Sequence, residues 1–207
     1  MKTKMVSRAG IAILAMSIPV SCGYHDPHDD HDDTTSDEPP TDVQASTLTT
    51  VDQLWWRGLS QNDRNQVILD RTSQDIGNYV GLNCKLWVQN VVSGASRHAA
   101  SVPPTSPDAN GWVWTPNAYA VRVYANINTA QPGWIVQMNR RNSSGGITPH
   151  TAIVVGRSSY GIYWVDSNYA IVPDNVVRLH SESFADFDRA TYISGAYRYS
   201  MYYVSGG

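Results

Sequence analysis

The sequence predicts an α+β domain in which helices come first and an antiparallel β-sheet follows. Between residues 50 and 92, apolar residues recur at three- and four-residue spacing, which is typical of helices with one buried face. From residue 133 onward, β-branched and aromatic segments are separated by Gly, Ser, Asn and Pro, which is typical of strands joined by turns. About 160 residues belong to this domain, enough for one hydrophobic core.

Three helices are expected in the first third of the domain. Thr50 with Gln53, and Ser60 with Asp63, have the spacing of capping boxes, in which two side chains satisfy backbone N–H groups at a helix start. Asn83 is expected to cap a third helix.

The third helix has the sequence CKLWVQNVV and begins at Cys84. Its residues Cys84, Trp87, Val88 and Val91 recur at three- and four-residue intervals, so they lie on one side. The Ser-Gly pair at 93–94 is expected to end it.

Strand-like segments fill the second half of the domain. Residues 97–120, rich in Pro, Ser, Asn and Trp, predict a long surface connection before them. The strand-like segments are residues 133–138, 150–156, 161–168, 175–183 and 189–204.

Residues 1–22 have the three parts of a secretion signal: basic residues, a short apolar run over 9–18, and small residues before Cys22. The pattern resembles a bacterial lipoprotein signal, in which this cysteine is acylated and becomes the mature N-terminus. It predicts a protein of the bacterial cell envelope, held on a membrane by lipid on Cys22 and facing the periplasm or the exterior. Ordinary cleavage or an uncut signal is the alternative.

Residues 23–46 predict a disordered, acidic, His/Asp-rich tether, because eight acidic residues occur there without any Lys or Arg. Its histidines could hold a divalent metal loosely, but a solvated spacer is the preferred interpretation, since no fold fixes the ligands. The domain at 47–207 keeps twelve basic and ten acidic residues. This near balance gives no case for nucleic-acid binding.

Cys84 is the candidate nucleophile. An exported protein normally pairs or avoids its thiols, yet this cysteine lies at the first turn of a helix. The N–H groups and dipole there favour a thiolate and can receive an oxyanion, so the sequence predicts a lowered thiol pKa. The alternative is a small buried apolar residue.

His150, at the head of a strand, is the preferred base. A hairpin around residues 157–160 would place it level with 166–168, and strand alternation points Asp166 and Asn168 the same way. An acid or amide there can accept the Nδ1–H of the imidazole and aim Nε2 at the thiol.

NCKLWVQNVV, PGWIVQM, PHTAIVV and WVDSN, in this order, resemble the CHAP domains and related cell-wall endopeptidases of the papain-like superfamily, over most of residues 78–170. The resemblance implies a papain-like α+β fold and hydrolysis of amide bonds in peptidoglycan, in its peptides or at the sugar–peptide link. By motif position it implies Cys84 as nucleophile, His150 as base, Asp166 as acidic orienter and Asn168 as supporting amide. It implies no metal and no organic cofactor.

Three tryptophans, Trp112, Trp114 and Trp134, lie in loop-like settings and are candidates to line a substrate groove, whereas the other four are expected in the core. Two other functions stay open: a non-catalytic envelope lipoprotein that binds peptidoglycan or a protein partner, and a thiol enzyme that acts on protein glutamine. The sequence leaves open the oligomeric state and which amide bond is cleaved.

Overall fold

The computed structural model describes residues 51–103, 114, 117–142, 144–168 and 175–207. The expected signal at 1–22 with its Cys22, the expected tether at 23–46 and Trp112 lie outside the described residues. Within the described residues, no helix is both long enough and apolar enough to cross a membrane.

Four helices are described, and the capping signals in the sequence mark two of their starts. Ser60 accepts from the backbone N–H of Asp63, whose carboxylate accepts from the backbone N–H of Ser60, completing the predicted capping box. Asn83 Oδ1 accepts from the backbone N–H of Leu86 at 3.0 Å, as predicted. The helices are α1 (51–58 in the described residues), α2 (Gln61–Asp75), α3 (Cys84–Ala95) and α4 (Phe184–Thr191).

The strands form a six-stranded sheet in the order β1-β8-β2-β3-β4-β5, with antiparallel pairing between neighbours, and a separate two-stranded β6–β7 hairpin. This confirms an α+β fold with helices and an antiparallel sheet. The strands are β1 (Ala120–Val123), β2 (Ile135–Arg141), β3 (Ile147–Arg157), β4 (Gly161–Ser167), β5 (Val177–Ser183), β6 (Tyr192–Ile193), β7 (Ala196–Tyr197) and β8 (Tyr199–Val204).

Two elements differ from the sequence-based expectation. The segment 189–204, expected as one strand, contains the end of α4, the β6–β7 hairpin and β8. α4 begins where Ser183 accepts from the N–H of Asp186, the same Ser-x-x-Asp signal that starts α2. β1 begins at the last residue of the expected connection 97–120 and continues into a stretch to which no element was assigned; it pairs with β8, about 80 residues later in the chain.

The sheet is covered on both faces, and each face has its own apolar cluster. On the face covered by α2 and α3, which we call the α3 face, Ile135, Ile153 and Val165 pack with Trp87 and other residues of the two helices. On the opposite face, the α4 face, Val136, Ala152, Trp164 and Met201 pack with Phe187 of α4. Residues 135 and 136, or 152 and 153, therefore alternate between the two clusters as strand geometry requires.

Candidate active site

Cys84 is the first residue of α3 and is a free cysteine that is only partly exposed. The backbone N–H groups of Thr151 and Lys85 lie near its sulfur and favour the thiolate. Thr151 lies in β3 directly after His150, so packing of α3 on the sheet brings the thiol to the strand that carries the candidate base. Because successive residues of a strand alternate, the thiol lies on the α3 face, whereas the imidazole of His150 lies on the α4 face.

The thiol of Cys84 is less acidic than the sequence predicts. Burial raises its pKa above the ordinary value, and the nearby carboxylate of Asp166 raises it further. The N–H groups of Thr151 and Lys85, and the Lys85 ammonium, act in the opposite direction but are outweighed. The expected lowering of the pKa is therefore wrong for this structure, because desolvation at the sheet exceeds the stabilisation from the helix start.

His150 is almost completely buried on the α4 face of β3, with 4% of its surface exposed. Its Nε2 is hydrogen-bonded to Oδ2 of Asp166. Because an ionised carboxylate only accepts, Nε2 carries the hydrogen and Nδ1 is the basic nitrogen. This reverses the expected use of the two ring nitrogens, in which Nδ1 was to face the acid and Nε2 the thiol.

The β3–β4 register explains why these two residues meet. Ile153 lies opposite Val165, so His150 and Asp166 are on the same face near the end of the pair, as the sequence predicts from alternation. Asn168 follows β4 with a left-handed backbone, at φ 67°. Its Oδ1 is buried and has no hydrogen-bond partner in the described part of the chain.

Asp166 is shared between two imidazoles. Its Oδ1 accepts from Nε2 of His180 at 3.0 Å, while Oδ2 is bonded to His150. His180 lies opposite Trp164 in the β4–β5 pair and stacks on that indole, with ring centroids 4.2 Å apart. His180 is not among the site residues predicted from the sequence; alternation in β5, compared with β4, is the signal that could have found it.

Burial and neighbouring cations set the protonation states of this cluster. Burial lowers the pKa of His150 to about 3, and the charges of Arg140 and His180 act in the same direction. Burial raises the pKa of Asp166 to about 6, although the hydrogen bond and charge of His180, with Arg140 and Arg178, oppose it. At neutral pH the structure therefore holds a neutral imidazole against an ionised carboxylate.

Arg140 is itself buried and paired on the same face. Its guanidinium makes two hydrogen bonds to the carboxylate of Glu182, at 2.6 and 2.7 Å. The pair places a fixed positive charge beside His150 and Asp166 without leaving that charge unmatched. Among the described residues, no group of three or more His, Cys, Asp or Glu side chains is arranged to hold a metal ion.

The structure separates the candidate groove tryptophans. Trp114 is fully buried, and its backbone N–H bonds the hydroxyl of Tyr202, so it lines no surface groove. The prediction that Trp114 lines a groove is wrong, because long-range packing rather than the loop-like local sequence decides whether a side chain is buried. Trp134 is half-buried and borders a surface cavity. Trp56, Trp87 and Trp164 are in the core, as predicted.

No family model, no curated protein and no solved structure matches this chain.

Proposed function

We propose that this chain is a cysteine-dependent amidohydrolase that cleaves amide bonds of cell-wall peptidoglycan peptides through an acyl-enzyme intermediate. One observation carries the proposal: α3 begins at Cys84 and packs on β3, so the thiol lies near the backbone N–H of Thr151, the residue that follows His150. His150 is in turn held by Asp166. A thiol, a neutral imidazole and an orienting carboxylate are the groups that thiol acyl transfer needs.

In the proposed acylation step, the sulfur of Cys84 attacks the amide carbonyl carbon as its proton passes to Nδ1 of His150. Because the thiol lies on the α3 face of the sheet and the imidazole on the α4 face, the step requires a local rearrangement of β3 that lets the two groups meet. The carbonyl electron pair moves to oxygen, and a backbone N–H at the start of α3, that of Cys84 itself, stabilises the oxyanion. The intermediate collapses as the C–N bond breaks, and the imidazolium gives its proton to the leaving amine. Asp166 accepts the Nε2–H throughout and stabilises the transient positive charge.

Deacylation repeats these steps with water. Nδ1 of His150 removes a proton from water as its oxygen attacks the thioester carbon. The C–S bond then breaks, the proton returns to sulfur, and the carboxylic acid product leaves. The raised pKa of Cys84 and the lowered pKa of His150 mean that the resting pair is neutral, so proton transfer accompanies attack.

The proposal includes a papain-like, CHAP-type core. Its support is a cysteine at the start of a helix that packs on an antiparallel sheet, together with a histidine on β3, which pairs with β2 and β4. Membrane attachment through acylated Cys22 also belongs to it. The support is the signal-like sequence of residues 1–22, which ends in Cys22.

The test incubates the purified full-length chain with peptidoglycan sacculi and measures new amino groups by chemical labelling, with released fragments identified by mass spectrometry. We expect release by the natural chain and a loss of more than about a thousandfold in Cys84→Ser. Cys22→Ser is the matched control, since it removes the chain's other thiol and should keep the activity. Equal release by Cys84→Ser and the natural chain would refute the proposal.

The raised pKa of Cys84 favours one alternative: a non-catalytic envelope lipoprotein that binds peptidoglycan or a protein partner. Such a protein would bind sacculi equally well as the natural chain and as Cys84→Ser, and neither would release amino groups. Co-sedimentation with sacculi, run beside the release assay, separates the two functions.

A further inference from the structure

A surface cavity of about 400 Å³ lies between α2 and the turn that precedes β2. Its size is within the range of small-molecule sites in proteins. Among the described residues, no charged side chain lines it, and most of its lining residues carry primary amides. We call it the amide cleft and define it by Gln61, Asn62, Asn65, Gln66, Gln131 and Trp134.

The wall opposite α2 is a tight turn over residues 131–134. The N–H of Trp134 donates to the carbonyl of Gln131 at 3.1 Å, Pro132 holds the second position, and Gly133 has φ +86°. These are the features of a type II turn. A Cβ at Gly133 would lie 2.7–2.9 Å from atoms of Asn65, so only glycine lets the turn approach α2 this closely. The cleft is therefore built from rigid parts.

Several hydrogen-bonding groups of the amide cleft are unused by the protein. Asn65 is only 8% exposed, its Oδ1 accepts from Gln61, and its Nδ2 has no partner among the described residues. Gln66 and Gln131 use their Nε2 groups on Asp70 and on the carbonyl of Thr129, which leaves their Oε1 atoms as acceptors. The cleft thus offers both donors and acceptors.

This chemistry selects a class of ligand. A charged ligand would lose hydration without gaining an opposite charge, and a wholly apolar one would cover the Nδ2 of Asn65 without pairing it. A pyranose ring has hydroxyl groups for the amides and an apolar face for the indole of Trp134. From the solvent-accessible, unbonded Nδ2 of Asn65, the uncharged lining and the adjacent Trp134, we propose that the amide cleft binds a neutral saccharide.

The saccharide site uses none of the residues assigned to catalysis in the proposed amidohydrolase, although Trp134 is also a candidate for its substrate groove, so saccharide binding is tested separately from amide cleavage. If the proposed function also holds, the amide cleft would bind the glycan strand of the peptidoglycan whose peptides the enzyme cleaves. That consequence rests on the proposed function, whereas saccharide binding does not.

The experiment titrates the full-length Cys84→Ser chain with a β-1,4-linked N-acetylglucosamine tetramer and, separately, with the corresponding glucose tetramer. Binding is followed by the indole N–H resonance of Trp134 in ¹⁵N-correlated NMR spectra, assigned with Trp134→Phe. We expect that resonance to move with saturation for at least one tetramer. No movement with either, up to about 10 mM, would overturn the proposal.

Variants localise the binding. Trp134→Ala should weaken it at least about tenfold, whereas Trp134→Phe keeps a stacking ring and most of the affinity. Because Trp134 packs on the core, the exposed positions Asn62 and Gln66 supply variants that do not threaten folding, and alanine at either should weaken binding several-fold. Gln74→Ala, an exposed amide on the same helix outside the cleft, is the matched control and should bind normally. Equal affinity in all variants would place binding elsewhere and overturn the proposal.

Sacculus hydrolysis by the natural chain reports on the other proposal. Saccharide binding without amide cleavage would retain the saccharide site and refute the hydrolase. Cleavage without saccharide binding would retain the hydrolase and refute the saccharide site.

Discussion

The two faces of the six-stranded sheet differ in what they bury. The α3 face is closed by an apolar cluster that includes Trp56, Ile68 and Trp87 of the first three helices. The α4 face has a smaller apolar cluster and, beside it, a polar set in which Arg140, His150 and Asp166 are buried and His180 and Glu182 are partly buried.

The two faces therefore contribute differently to the stability of the fold. Burial of apolar side chains on the α3 face favours folding at roughly 25 cal/mol for each Å² removed from water. Burial of charged groups on the α4 face opposes folding unless each charge is paired, and pairing at best offsets the desolvation. A cluster that contributes little to stability yet holds an imidazole and a carboxylate in fixed geometry is what a catalytic site requires.

The largest expected effect comes from breaking the buried ion pair. Arg140→Met leaves the partly buried carboxylate of Glu182 without its ion-pair partner and should cost about 3–5 kcal/mol in the free energy of unfolding. Removing both charges in Arg140→Met/Glu182→Leu should recover at least half of that loss, because no unpaired charge remains. Urea unfolding followed by tryptophan fluorescence measures both.

The α3 face provides the control for that recovery. Ile153→Ala removes apolar packing from a fully buried position and should cost about 2–5 kcal/mol. No charge is left unpaired by Ile153→Ala itself. Adding Glu182→Leu removes the ion-pair partner of the buried Arg140, so the combined variant should be less stable than Ile153→Ala alone. If the Arg140/Glu182 double variant were as unstable as Arg140→Met alone, the pair would matter for packing rather than for charge.

The second expected effect is a dependence of stability on pH that originates at His150. Burial, with the charges of Arg140 and His180, lowers its pKa from 6.5 to about 3. Below pH 6.5 the imidazole is protonated in the unfolded chain but stays neutral in the folded one. Acidification therefore lowers the free energy of unfolding, by up to about 1.4 kcal/mol per pH unit. Asp166 acts oppositely: its pKa is raised from 3.8 to about 6, so the folded carboxylate is protonated first and acidification from pH 6 towards 4 adds stability.

His150→Gln removes only the first of these contributions. The variant should therefore gain stability relative to the natural chain as the pH falls from 6.5 towards 3, as measured by urea unfolding at each pH. His98→Gln, at an exposed histidine, is the matched control and should track the natural chain. A constant difference between His150→Gln and the natural chain from pH 7 to pH 4 would show that His150 is not held neutral.

The third expected effect concerns Cys84, the residue that approaches this cluster from the α3 side. Because burial raises the pKa of its thiol, alkylation by iodoacetamide should speed up about tenfold per pH unit from pH 7 to pH 9 without levelling off. Cys22→Ser leaves Cys84 as the single thiol, so the rate can be followed by mass spectrometry. A rate that levels off below pH 8 would mean that the helix start and neighbouring N–H groups outweigh burial.

The fold was predictable where local pattern decides structure. Alternation and turn residues predict β2 to β5 within a few residues, and the Ser60–Asp63 and Asn83 signals predict the starts of α2 and α3. β1 has only four residues and is fixed by pairing with β8 far along the chain, which no local window contains. α4 was predictable from its Ser183–Asp186 signal but missed: residues 184–188 were left unassigned between two expected strands, and the end of the helix was included in the expected strand 189–204.

The candidate site was also predictable only in part. Alternation along two strands predicts that His150 and Asp166 share a face, because that depends only on chain direction and turn position. The choice of ring nitrogen, the approach of His180 and the pKa of Cys84 depend on strand register and on burial. Those quantities are set by tertiary packing, so residue type and spacing do not determine them.

The smallest expected effect compares the caps of one helix from each face. Ser60 caps the 15-residue α2, and Ser183 caps the eight-residue α4, each accepting from the N–H of an aspartate three residues later. Alanine at either serine should cost about 1 kcal/mol in global stability.

The local consequences of the two caps should differ. An isolated helix shorter than about 12 residues is marginal, so α4 depends on its cap and on Phe187, its fully buried apolar residue. Ser183→Ala should therefore speed hydrogen exchange of the α4 amides several-fold more than Ser60→Ala speeds exchange in α2, where packing against α3 and the sheet persists. Equal acceleration of hydrogen exchange in the two helices would mean that α4 is held on the α4 face as firmly as α2 is held on the α3 face.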